Sequence, residues 1–430
     1  MTWPTTKLKW IATTTAGGTP SVAEPTYWTA EDEGTPWVSI GDMSGRDLVT
    51  TTERRVTKQG IQAARLPVGA PGTLLLSMYA SLGHTAFLND AASWNQALLG
   101  IEVSPHHNLR FVKYSLDATR SRLAEFARSN TQANLNAEQV GNLVVPEPPL
   151  QEQHRIADFL DTETARIDRL TAASQRAVRL LVERRATGVA AAVAGSRHVD
   201  RRESTLAWLE TVPTEWSEVR LGLLACMGSG HTPSRSHPEW WTDCTIPWIT
   251  TGEVSQVRGD RVEEICETRE KISELGLANS AAELHPKGTV VLCRTASAGY
   301  SGVMGLDMAT SQDFVTWTCG PRLDPFYLLW CLRAMRPDLL GRLAMGSTHK
   351  TIYVPDLQML RIPLPPLSQQ KEIVSTIRCQ NARVDALTDK LRRQQDLLAE
   401  RRQALITAAV TGQFDVSSAS GRGLTEGVPA

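Results

Sequence analysis

The chain has 430 residues, 41% hydrophobic and 21% charged, with 45 basic against 46 acidic side chains. That is the composition of a soluble globular protein long enough for two or three domains, and its net charge of −1 argues against a nucleic-acid partner unless one face is locally basic. The opening MTWPTTKLKW has no signal-peptide core and the longest small-apolar run, GVAAAVAG, is too short to span a membrane, so a cytoplasmic location without membrane contact is expected.

Residues 1–147 are rich in Gly, Thr and Trp, with short β-like runs such as WVSIGDM and TLLLSMYA between turn residues. Residues 148–195 begin at a proline pair and then stay nearly free of Gly and Pro, which predicts one long helix. A linker over 196–212 leads to a second Gly-, Thr- and Trp-rich part, 213–364, with the β-like run TVVLCRTA. A second long helix is predicted over 365–412, and 413–430 reads as a flexible tail. All seven cysteines lie in the second half without the close spacing of a zinc knuckle, so reduced, mostly packed thiols and no structural metal are expected.

This order is one plan written twice. Trp3 matches Trp216, Thr19-Pro20-Ser21 matches Thr232-Pro233-Ser234, and Tyr27-Trp28-Thr29 matches Trp240-Trp241-Thr242, all at an offset of 213. Pro36-Trp37-Val38-Ser39 matches Pro247-Trp248-Ile249-Thr250, and Gly72-Thr73-Leu74-Leu75-Leu76 matches Gly288-Thr289-Val290-Val291-Leu292. Pro148-Pro149-Leu150 matches Pro365-Pro366-Leu367. The aromatic pairs are expected to support core or loops.

Apolar residues in the first helix (Ile156, Leu160, Ile167, Leu170, Ala177, Leu181) and the second (Ile373, Ile377, Val384, Leu387, Leu391, Leu398, Leu405) recur at heptad steps, interrupted by Glu163 and Gln380. Each stripe needs a partner, and the repeat favours antiparallel pairing of one helix with the other. The expected fold is mixed α/β (α+β), with two pseudo-symmetric domains separated by a long antiparallel two-helix coiled coil. At 1.5 Å per residue each helix is a rod on the order of 60 Å, a spacer suited to double-stranded DNA carrying two separated, unlike sites.

Four features, in order and twice, carry a family likeness: GGTPS with HTPS, WVSIGDMS with WITTGEVS, GTLLLSMYASLG with GTVVLCRTASAG, and VPEPPLQEQHRIADFL with IPLPPLSQQKEIVSTI. Over about residues 3–416 the chain resembles the specificity subunit (HsdS family) of type I restriction-modification enzymes. The resemblance implies two target recognition domains, each reading half of a bipartite asymmetric DNA target. It also implies two methyltransferase subunits, carrying S-adenosylmethionine and methylating adenine N6, and restriction/translocase subunits in the full enzyme. The copies depart from one another at Met78 against Arg294, and at SNTQ (129–132) against GSTH.

No NPPY-like segment, glycine-rich cofactor loop, P-loop or H-E-x-x-H motif is present, so a non-catalytic chain with no cofactor of its own is expected. His106-His107 reads as a solvated pair. Base edges are read by Arg, Asn, Gln, Ser and Thr on loops held by a rigid scaffold. The candidates are Ser77, Tyr79, Ser81, Asn95, Gln96, Thr131 and Gln132 in the first domain, and Arg294, Thr295, Ser297, Gln312, Thr348, His349 and Lys350 in the second. Thr19, Ser21, Thr232 and Ser234 are candidates for phosphate contact. A modification-only specificity subunit and a coiled-coil scaffold for protein partners are the alternative readings.

Overall fold

A computed structural model describes residues 3–30, 33–129, 134–344 and 350–416. The chain divides into two compact units, Met1–Ser174 with Arg393–Ala430, and Gln175–Arg392. Each unit holds one mixed α/β head and part of the long helices Leu150–Val193 and Leu367–Val410. Residues 417–430 of the expected tail lie outside the described residues.

The first head is built on a five-stranded sheet in the order Ala12–Ala16, Leu98–Val103, Leu74–Ser77, Thr85–Leu88, Leu48–Val49, antiparallel except at the last pair. The second repeats it with Ala225–Ser229, Phe314–Cys319, Val290–Cys293, Ser301–Met304 and Glu264–Ile265. Even the register repeats. Leu74 lies opposite Phe87 and Ile101, and Val290 opposite Val303 and Trp317, each pairing shifted by 216. The central strands LLLS and VVLC are buried on both faces, which is why they read as unbroken apolar runs. Leu74 and Leu76 pack with Leu99, Ile101 and Leu116 on one face, while Leu75 packs with Val38, Met43 and Trp94 on the other.

The strand in WVSIGDM is shorter than its composition suggests. It stops at Val38, because Ser39 and Asp42 form a capping box that starts the helical turn Ile40–Met43. Thr250 and Glu253 do the same after Ile249. The aromatic pairs tie the Thr-Pro-Ser loops to the smaller sheets. Trp28 Nε1 donates to the Ser21 carbonyl and its ring meets Trp37 edge-on at 5.1 Å, while Trp241 donates to Ser234 and meets Trp248 at 5.7 Å.

The long helices run antiparallel within each unit. In the first, Ile156, Ala157 and Leu160 pack with Ile406, Ala409 and Val410, and Gln395 donates to Ser174. In the second, Val189 and Val193 pack with Val374 and Ile377, and Arg185 lies 3.4 Å from Asp385. The seam differs from the apolar count. Its buried or half-buried positions include Leu160, Thr164, Ile167, Thr171 and Ser174 on one helix, and Val374, Ile377, Asn381, Val384 and Thr388 on the other. Leu170 and Leu387 lie outside it, 46% and 47% exposed, and Ala177 lies at its margin. Thr164 and Asn381, with Ser174 and Thr388, are buried polar residues there, rather than Glu163 and Gln380. A heptad count that admits only apolar residues therefore slips onto the neighbouring face.

One buried glutamine locks each helix start to its head. Gln153 accepts from the Asn108 amide at 2.8 Å and donates to the Pro148 carbonyl at 2.8 Å. Gln370 accepts from the Asp324 amide at 2.8 Å and donates to the Arg322 and Pro365 carbonyls, both at 2.9 Å. The expected linker contains a small hairpin, Arg201–Glu203 with Thr211–Pro213. Of the free cysteines, Cys293 and Cys331 are buried, Cys244 and Cys319 intermediate, and Cys226, Cys266 and Cys379 exposed, so packing of the thiols is far from general. No helix among the described residues is long and apolar enough to cross a membrane.

Candidate nucleic-acid interface

Three loops of the first head meet at one end of the strands of its main sheet, after Ala16 and Ser77 and before Leu98. The Gly18 amide donates to the Trp94 carbonyl at 2.9 Å, bringing the Thr-Pro-Ser loop onto the turn after Ser93–Trp94. A Cβ on Gly17 would lie 2.3 Å from the Asn95 carbonyl oxygen, so only glycine allows this approach; at the matching Gly230 it would lie 2.1 Å from the Thr310 oxygen. The Met78 amide donates to the Ala97 carbonyl and the Leu135 amide to the Met78 carbonyl, both at 2.9 Å. The second head repeats these bonds at 2.8 Å, from Arg294 to Asp313 and from Ile352 to Arg294.

Thr19 donates to the Gln96 side-chain carbonyl, and Thr232 to that of Gln312 at 2.6 Å. Both glutamines are exposed, and their amide nitrogens make no hydrogen bond among the described residues. The hairpin tips beside them hold Ala80 at φ 53° and Ala296 at φ 52°, left-handed conformations that cost energy for a residue with a Cβ. The tight turn lifts Tyr79 into solvent, 38% exposed.

Thus Thr19, Tyr79, Ser81, Asn95 and Gln96 gather in one head, and Thr232, Arg294, Thr295, Ser297 and Gln312 in the other. Ser21 and Ser234 sit farther along the Thr-Pro-Ser loops, held by the Trp28 and Trp241 donations to their carbonyls. Thr131, Gln132, Thr348 and His349 lie outside the described residues. Lys350 is exposed and donates to the Leu340 carbonyl at 3.1 Å.

Some candidates are committed to the scaffold. Ser77 is fully buried with its hydroxyl on the Tyr79 carbonyl at 2.8 Å, so it closes the loop and presents nothing outward. Thr295 donates to Asp313, and Asn95 accepts from the Ala97 amide at 3.1 Å through its side-chain oxygen. Sequence reasoning missed Asp313, which also accepts from Ser311 at 3.2 Å. Its signal was present in Ser-Gln-Asp, one residue beyond the chosen glutamine. Burial pushes the Cys293 thiol up to about 11, so it serves as packing beneath the loop rather than as a nucleophile.

These groups are donors and amides on rigid turns, suited to base edges and phosphates. His107 is paired with Glu147 at 3.1 Å, and no cluster of three or more potential metal ligands occurs among the described residues.

The family model described as the type I restriction modification DNA specificity domain matches residues 2–178 and 213–392. The chain is 22% identical over 361 residues to the type I restriction enzyme EcoBI specificity subunit of Escherichia coli, covering 80% of this chain and 74% of that one. A chain solved in work on assembly and conformational transition of the type I R-M system superposes with a TM-score of 0.70 at 18% identity, covering 96% of this chain and 98% of that one. The HsdS subunit from Thermoanaerobacter tengcongensis gives 0.52 at 19% identity, covering 96% and 97%. At these identities the two superpositions speak to the fold.

Proposed function

The chain belongs to the type I restriction modification DNA specificity family, and from that premise we propose that each head reads one half of a bipartite, asymmetric DNA target. The observation that carries this reading is the loop cluster built twice on one backbone plan, with Thr–Gln bridges in common and Met78 against Arg294 at its centre. A shared frame with unlike central side chains is what two readers of different sequences require.

The long helices set the spacing between the half-sites and dock two methyltransferase subunits. Support for docking comes from leucines that the seam leaves outside. Leu170 and Leu180 are 46% and 63% exposed, and Leu387 and Leu397, at equivalent positions, 47% and 57%. The chain itself is non-catalytic. S-adenosylmethionine sits on the methyltransferase subunits, which act on adenine N6 in the cytoplasm, and restriction/translocase subunits complete the full enzyme. The near-neutral charge supports weak DNA binding by the lone chain, since few phosphates are neutralised and affinity follows that number steeply.

The test is the chain co-expressed with its cognate methyltransferase subunit in a host free of adenine methylation. Mapped N6-methyladenine should fall in one two-part motif with a fixed gap, and should vanish without the chain. Methylation at an unsplit motif, or methylation independent of the chain, would contradict the proposal.

A further inference from the structure

The two copies place the same backbone slot at the centre of their loop clusters and fill it differently. Met78 is 5% exposed and packs into the first head's core, so it offers nothing to a ligand. Arg294 occupies the equivalent slot, between its amide bond to Asp313 and its carbonyl bond from Ile352, but is only half-buried. We propose that Arg294 reads a guanine in the half-site of the second head, and that the first head makes no such contact at the matching position. This rests on the reading of the heads as DNA readers.

Three features of the arginine carry the inference. Its Nε donates to the Gln312 carbonyl at 3.0 Å, which ties the guanidinium down at Nε and leaves the Nη1/Nη2 pair. That pair makes no hydrogen bond or ion pair among the described residues. The nearby carboxylate is already engaged: Asp313 accepts from Thr295 through one oxygen and from Ser311 through the other. A guanidinium braced at Nε with a free two-nitrogen fork matches the O6 and N7 acceptors that guanine presents in the major groove. The exposed Gln312 amide lies beside it, bridged to Thr232 as Gln96 is to Thr19, so the arginine stands in a frame that both corners share, with Thr295, Ser311 and Asp313 around it where the first head has Tyr79, Asn95 and Ala97.

The test compares methylomes of the wild type and Arg294→Met, each as the complex with the cognate methyltransferase. Methionine already occupies this slot in the first head, so the substitution keeps a side chain that the frame accommodates. The wild type should require a guanine in one half-site. In R294M that guanine should become degenerate, with preference over the other bases falling roughly 5- to 150-fold, while the other half-site and the gap persist. A guanine requirement that survives R294M overturns the inference, as does loss at all sites equally, the mark of a phosphate contact, or collapse of the whole half-site, the mark of a structural brace. A wild-type methylome without any two-part motif would instead overturn the underlying reading, so the two failures are distinguishable.

Discussion

Gln370→Met tests how the second head is fixed to its helix. Gln370 is fully buried, and methionine fills nearly the same volume without its amide. Three groups then lose their partner together: the Asp324 amide and the carbonyls of Arg322 and Pro365. A buried polar group stripped of its hydrogen bond costs about 1–3 kcal/mol, and partial relaxation offsets some of the sum, so a loss of about 3–5 kcal/mol is expected. That is a large share of the roughly 5–15 kcal/mol by which a domain is stable. Guanidinium unfolding followed by tryptophan fluorescence reads the change, and Gln370→Ala should cost less because water can enter the vacated space. The equivalent Gln153→Met should act on the first unit, and the double variant should be additive because the two glutamines share no partner. A Gln370→Met variant within 1 kcal/mol of wild type would refute the reasoning.

Two further outcomes follow from burial. Asn381 is 7% exposed and its amide nitrogen has no partner among the described residues, so Asn381→Leu should raise the melting temperature by a few degrees while weakening the register of helix pairing; a lowered melting temperature would contradict this. Burial holds the Cys293 thiol up at about 11 and those of Cys319 and Cys331 at about 12, leaving little thiolate at pH 8. Iodoacetamide should therefore label exposed Cys226, Cys266 and Cys379 first, as read by peptide mass spectrometry, and Cys293 modified as fast as Cys379 would contradict the packing.

The doubled plan was legible because its punctuation is local. Trp28 and Trp241 are held by short-range bonds to Ser21 and Ser234, and the glycines beside them, Gly17 and Gly230, recur with them although the backbone they approach, at Asn95 and Thr310, is distant in sequence. The central strands were legible because both their faces are apolar. The helix seam was not, since Thr164, Ser174, Asn381 and Thr388 lie inside while Leu170 and Leu387 lie outside, and composition alone scores these the other way. The strand-like WVSIGDM misled for a related reason: β-branched and aromatic residues signal a strand, but the Ser39–Asp42 capping box ends it. At the site, loop membership could be read from the sequence. Side-chain commitment could not, because Thr295 is engaged by Asp313, which only folding brings close, and Ser77 turns its hydroxyl inward onto the Tyr79 carbonyl of its own turn.

The central claim is that each head reads its half-site independently of the other. Exchanging residues 1–147 for the equivalent part of a relative with a known target, in complex with the methyltransferase, tests it through the methylated motif. One half of the motif should become the relative's while the other half and the gap stay unchanged. A change in both halves would contradict the account.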